Sequence, residues 1–177
     1  MAVTKIKPIH STLKAAIKYI TNKDKTNEST LIDSFGCSPE TAHLEFKWTA
    51  DKNDSSAHGK KKVLAYHVIQ SFKPDEITPE LAHKLGKEFA ANITDNRYEY
   101  IISTHVDKNH IHNHIIFNAV SFNTHNKYHS DIKSYYHIRN MSDSLCASHG
   151  LSVIKEPKDK GMSYYEWMNK NEGKCNC

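Results

Sequence analysis

No stretch of this 177-residue sequence stays apolar over the roughly 20 residues needed to cross a bilayer, which predicts no membrane insertion. The opening "MAVTKIKPIHSTLKAAIKYI" has neither a long apolar core nor a small-residue cleavage site. A secretory signal is therefore not expected, and the expected location is the cytoplasm. Cysteine is sparse and unpatterned: Cys37 and Cys146 stand far apart, and Cys175 and Cys177 form only a terminal C-x-C. That excludes a disulfide framework and a cysteine-based zinc motif. Internal repeats and low-complexity tracts are absent, which leaves a single globular domain with one sizeable core. Net charge is only +4 with histidine neutral, too little by itself to mark a polyanion binder. Its distribution says more. "KAAIKYITNKDK" and "HGKKK" are locally basic, and "HNKYHSDIKSYYHIR" interleaves basic residues with tyrosines. Charge with aromatic surface suits single-stranded nucleic acid, whose phosphates and bases it can meet together.

What is present reads as alternating strands and helices. "AVTKIKPI" alternates like a strand; Ser11 then caps a helix with Leu13, Ala16, Ile17 and Ile20 on one side. Ser38-Pro39-Glu40 and Thr78-Pro79-Glu80 each combine a cap, a first-turn proline and an acid, and so predict two further helix starts. "VLAYHVIQSF", "YEYIISTHVD" and "HIHNHIIFNAVSF" read as strands, the last two joined by a short "DKN" hairpin. "DIKSYYHIRNMSDSLCASHG" reads as a helix ending at Gly150, "LSVI" as a last strand, and the region around Tyr164 to Met168 as a short helix. The order β-α-α-β-α-β-β-α-β predicts an α+β fold: a central, mainly antiparallel sheet of about five strands with flanking helices.

The most informative segment is "HVDKNHIHNH", with four histidines in ten positions. On a strand, side chains alternate between faces. His110, His112, His114, Ile116 and Asn118 then share one face, while Ile111, Asn113, Ile115, Phe117 and Ala119 share the other. The second set is mostly apolar and predicts a core face, so the histidines line a polar cleft. His105, one hairpin away, is placed to join them. Three imidazoles with open coordination positions suit a catalytic divalent metal. His105, His112 and His114 are the expected ligands, His110 the alternate, and Asp107 an acceptor that orients a ligand ring. Imidazole alone does not choose the metal; a phosphate substrate would favour magnesium or manganese, and zinc is compatible.

Tyr19, in "AIKYITNKDKT", lies near the end of the first helix among Lys18, Lys23 and Lys25. Together these stretches resemble the catalytic domain of conjugative relaxases of the MobA/MobL group, within the histidine-hydrophobe-histidine endonucleases. "KYITNKDKT" resembles the first motif of that family and "HVDKNHIHNHIIFNAV" the metal motif. "YHVIQSF" and "YHSDIKSYYHIRNMSDSLCASHGL" resemble its second strand and following helix. The departure is Asn113, which stands where a hydrophobe is expected if the pair is His112 and His114; Ile111 fills that place if the pair is His110 and His112.

The resemblance implies a catalytic domain over 1–165 and a polar tail over 166–177. It implies site- and strand-specific nicking and rejoining of DNA at a transfer origin, with Tyr19 as nucleophile and a covalent 5′-phosphotyrosine intermediate. It also implies accessory relaxosome and secretion-coupling partners, and a further domain in the family beyond the catalytic part. A tyrosine hydroxyl, with an ordinary pKa near 10, needs help to attack. His67, His110 and Asp107 are candidate bases, and Asn118 is a further candidate beside the metal. Lys18, Lys23, Lys25, Ser71, Lys127, Lys133, Tyr135, Tyr136 and Arg139 are candidate DNA contacts. Two other readings stay open from the residues alone: a metal-dependent hydrolase of a small substrate, and a non-catalytic nucleic-acid-binding module.

Overall fold

The computed structural model describes residues 3–53 and 62–153. Its elements are β1 (Val3–Ile9), α1 (Leu13–Ile20), a 3-10 turn (Lys23–Lys25), β2 (Ile32–Phe35), α2 (Ala42–Asp51), β3 (Ala65–Ser71), α3 (Pro79–Thr94), β4 (Tyr100–His105), β5 (His112–Asn118) and α4 (Ile132–Ser148). The strands form one sheet in the order β1-β3-β5-β4-β2, with every neighbouring pair antiparallel. The α+β expectation therefore holds.

Alternation divides the sheet into two unlike faces. One carries Tyr66, Val68, Ile102, Ile115 and Phe117, and α3 and α4 close over it through Leu85, Phe89, Ile138 and Leu145. The other carries Ile9, Ala65, Ile101 and Ile116 at one end only, where Leu13, Ile17 and Ile20 of α1 and Phe46 of α2 pack. Beyond that apolar end, this second face presents His67, His105, His112 and His114, by the strand register.

The helix signals hold unevenly. Thr78 caps α3 by accepting from the Leu81 amide, and Pro79 opens the helix, as expected. Asp131 and Ser134 form a reciprocal capping box at α4, and Gly150 beyond its end has a left-handed φ of +70°. At α1 the cap position is Thr12, not Ser11, and no side chain caps the helix. Ser38-Pro39-Glu40 forms a turn ahead of α2, which starts at Ala42; the Ser38 carbonyl takes the Thr41 and Ala42 amides at 3.1 and 2.8 Å.

The fifth strand is not the expected one. Leu151–Val153 of "LSVI" is irregular and Leu151 packs into the core, while Ile32–Phe35 forms the edge strand instead. The β4–β5 hairpin loop runs from Val106 to Ile111, longer than "DKN", and β5 begins at His112 rather than His110. The short helix expected near Tyr164 and the 166–177 tail lie outside the described residues.

Candidate metal centre and neighbouring tyrosine

The antiparallel register puts His105 directly opposite His112, and Ser103 opposite His114, so three imidazoles stand on adjacent positions of one face. One nitrogen from each of His105, His112 and His114 lies within 4.8 Å of the other two, and all three residues are buried. Ring centroids are 4.3 Å apart for His105–His114, 4.9 Å for His112–His114 and 5.2 Å for His105–His112. His110 sits in the loop with its ring 5.2 Å from that of His112, outside the three-nitrogen set.

Each of the three rings is held from behind. His105 Nε2 is 2.9 Å from the Ile20 carbonyl. That oxygen belongs to the last turn of α1, where carbonyls lack a helical partner, so the ring caps the helix as the helix fixes the ring. His112 Nδ1 is 3.3 Å from the His110 carbonyl, and His114 Nδ1 is 2.9 Å from His67 Nε2. Of the three nitrogens left over, two, His105 Nδ1 and His114 Nε2, are buried and have no hydrogen-bond partner. A buried polar atom without a partner is costly, and such pairs of lone nitrogens are what a bound cation relieves. Burial is the main cause that lowers all four pKa values: His67 falls to about 4, His114 to about 2, and His105 and His112 move the same way. The rings are therefore neutral near pH 7, the state in which imidazole ligates. The donor set fits a divalent cation held by three neutral nitrogens with positions left open.

Tyr19 is carried to this site by α1. Its ring is edge-on to His105 at 5.7 Å and to His114 at 5.9 Å, and it is 48% exposed. Lys25 Nζ lies 4.7 Å from the centre of the Tyr19 ring and 3.0 Å from Asp107 Oδ2. The Asp107 hydrogen bond raises the Lys25 pKa, so the ammonium persists beside the tyrosine. The Val106 amide also donates to the Lys25 carbonyl at 2.9 Å, which ties the hairpin loop to the segment after α1. A half-exposed tyrosine, a fixed cation and three imidazoles thus stand together over one face of the sheet.

Other sequence candidates fall at varied distances from the cleft. Ser71 ends β3 opposite His112, and Lys18 and Lys23 are exposed around Tyr19. Asn118 closes the far end of β5, where its amide donates to Glu99 at 2.9 Å and to the Phe46 carbonyl at 3.2 Å. Lys133, Tyr135, Tyr136 and Arg139 are on α4, across the sheet from the histidines, and Lys127 lies in the segment leading to it. The Tyr135 and Tyr136 rings meet at 5.6 Å, and Arg139 pairs with Asp143 at 3.9 Å. Two residues escape the sequence reading. Lys5 and Lys7 of β1 are exposed, and they stand opposite Ile69 and His67, on the histidine face. The alternation in "TKIKP" puts both lysines on one face, but only the strand pairing says which.

Comparison with known proteins gives this geometry a family. A model described as relaxase, MobA/VirD2-like nuclease domain, matches residues 19–151. The chain belongs to that relaxase family. It is 36% identical over 175 residues to protein rlx of Staphylococcus aureus, covering 98% of this chain and 49% of that protein. It is 32% identical over 152 residues to the group II intron-interrupted relaxase LtrB of Lactococcus lactis subsp. cremoris, covering 77% of this chain and 26% of that one. The chain thus spans about half the length, or less, of these relatives. Among solved structures, a manganese-bound MobM relaxase domain in complex with oriT DNA of plasmid pMV158 matches with a TM-score of 0.64 at 15% identity. That match covers 96% of this chain and 98% of the MobM chain. The likeness extends to the fold. No helix among the described residues is long and apolar enough to cross a membrane.

Proposed function

We propose that this relaxase domain nicks and rejoins one DNA strand at a transfer origin, through a covalent bond between Tyr19 and a 5′-phosphate. The observation that carries the reading is the Tyr19 ring packed edge-on against two of three converging, neutral histidines. A divalent ion on His105, His112 and His114 would supply Lewis-acid stabilisation of the phosphate oxygens. Manganese or magnesium suits a site that shares its ion with phosphate oxygens.

The protein's own residues do the rest. Lys25, fixed by Asp107, places a positive charge beside Tyr19, where negative charge develops on the reacting oxygens. The tyrosine hydroxyl gives its proton to water, its oxygen bonds to phosphorus, and the P–O3′ bond breaks. The departing 3′-oxygen takes up a proton, and the same 3′-hydroxyl reverses the step on rejoining. The ester energy is kept in the phosphotyrosine. Asp107 stays ionised because Lys25 lowers its pKa, so its part is to hold the lysine rather than to act as a strong base.

For the substrate, the open half of the histidine face offers a cationic floor. Lys5 and Lys7 lie on it, with Lys18, Lys23 and Lys25 around the tyrosine. The α4 residues face away from this floor, which favours a strand path along β1 and α1. Accessory relaxosome and secretion-coupling proteins are the partners proposed for the full transfer reaction.

The test uses a labelled single strand carrying the transfer origin, with manganese. Wild type is expected to cut at one position. Tyr19→Phe is expected to bind the strand as wild type does and to leave it uncut. Cutting at the same position by Tyr19→Phe would overturn the assignment.

A further inference from the structure

The residue between two of the histidines, Asn113, departs from the apolar pattern of its face, and the structure gives it a built pocket. It is fully buried on the core face of β5. Its Nδ2 donates to the Ala82 carbonyl of α3 at 2.8 Å and to Gln70 Oε1 of β3 at 3.1 Å. Its Oδ1 accepts from the Thr104 hydroxyl of β4 at 2.7 Å. Because the Ala82 carbonyl can only accept, the amide's orientation is fixed. The chain of contacts continues at both ends. Thr104 Oγ1 is 2.8 Å from His83 Nδ1, and His83 Nε2 is 3.1 Å from Asp33 Oδ2. Gln70 Nε2 donates to Ser142 of α4 at 2.8 Å. Six side chains from β2, α3, β4, β5, β3 and α4 are joined behind the metal face.

The helix is shaped for this contact. A Cβ on Gly86 would lie 2.5 Å from Asn113 Nδ2 and 2.5 Å from Ile102 Cδ1. Glycine at that point lets α3 come close enough for the amide to reach Ala82.

The register gives the network its consequence. Thr104 pairs with Asn113, and the flanking pairs are His105–His112 and Ser103–His114. Each ligand is therefore a direct chain neighbour of Thr104 or Asn113 and points to the opposite face. A slip by one residue would turn the histidines into the core. It would also carry the Asn113 amide out of its pocket and strip the buried Thr104 and Gln70 of their hydrogen bonds to it, at a cost an apolar side chain would not impose.

We propose that Asn113, with Thr104, is a positioning residue for the metal: the rear hydrogen bonds hold the rung that aims His105, His112 and His114. The inference rests on the metal centre proposed above. Partners that hydrogen-bond a ligand directly are worth about 10–100-fold in metal affinity when removed, and the rear network, which reaches the ligands through the backbone of the same rung, is expected to fall within that range.

The experiment is manganese titration of the purified protein by calorimetry, below its melting temperature, with unfolding measured in parallel. Asn113→Leu, which restores a hydrophobe of similar size, is expected to weaken manganese binding about 10–100-fold while the protein stays folded. Thr104→Val is expected to weaken it about tenfold, and Thr104→Ser, which keeps the hydroxyl, to bind like wild type. A lowered melting temperature with wild-type affinity in Asn113→Leu and Thr104→Val would reduce the network to ordinary structural support and overturn the proposal. If Asn113→Leu does not fold, the Thr104→Val and Thr104→Ser pair decides by the same criterion. His114→Ala is the control: wild-type affinity there would overturn the metal centre itself, a result distinct from failure of the rear network alone.

Discussion

Acidification of the metal-free protein should cost it stability through two histidines in particular. His67 and His114 touch through their ring nitrogens at 2.9 Å, and both are kept neutral by burial. In the unfolded chain each titrates near 6.5; in the folded protein His67 titrates at about 4 and His114 at about 2. Between those values the unfolded chain binds more protons, so stability is fully present above about pH 6.5 and falls as pH falls. Moving from pH 7.5 to 5.5 costs about 1.3 kcal/mol for each such histidine, or between 2.5 and 3 kcal/mol for the pair, roughly. The assay is urea unfolding by circular dichroism in the presence of chelator, at several pH values. His67→Gln keeps an acceptor for His114 but no longer titrates, so its loss over the same window should be smaller by about 1.3 kcal/mol. Equal losses for wild type and His67→Gln would refute the claim that this ring is held neutral by the fold.

Two further outcomes follow from the sheet. Lys5→Ala with Lys7→Ala should weaken binding of single-stranded DNA and flatten its salt dependence, read from titrations at several salt concentrations. The slope should fall by roughly 0.7 for each phosphate no longer neutralised. The matched change in Lys133 and Arg139, across the sheet, should leave that slope unchanged. Gly86→Ala should destabilise the protein by about 1–3 kcal/mol, measured as a lowered melting temperature, because the new methyl meets Asn113 and Ile102 at 2.5 Å.

How much of this is legible in the sequence depends on the range of the interaction. The two-residue spacing of His112 and His114 fixes their common face, and the mostly apolar set Ile111, Ile115 and Phe117 says which face is outward. Thr78-Pro79-Glu80 likewise gives a helix start from local chemistry alone. The β2 strand escapes because "IDSF" is short and shows no apolar alternation. Ile32 and Ser34 share the histidine face, while Asp33 reaches back to His83 and Lys87 at 3.1 and 2.7 Å. Only the pairing of β2 with β4 makes it a strand. The proposed path of the DNA is harder still to read. Tyrosines among basic residues mark α4 as attractive by composition, but the side of the sheet a helix covers is set by the crossover that leads to it. Asn113 reads as an irregularity in a histidine motif; its partners come from three elements, two of them 31 and 43 residues away, and no local pattern names them.

The central claim is that the three histidines and Tyr19 make one covalent nicking centre. The most direct measurement is mass spectrometry of the denatured, protease- and nuclease-digested product after the protein has met single-stranded transfer-origin DNA with manganese. The expected product is a nucleotide joined by its 5′-phosphate to the peptide carrying Tyr19, absent when chelator replaces manganese. An adduct on another tyrosine, or cut DNA with no adduct at all, would contradict it.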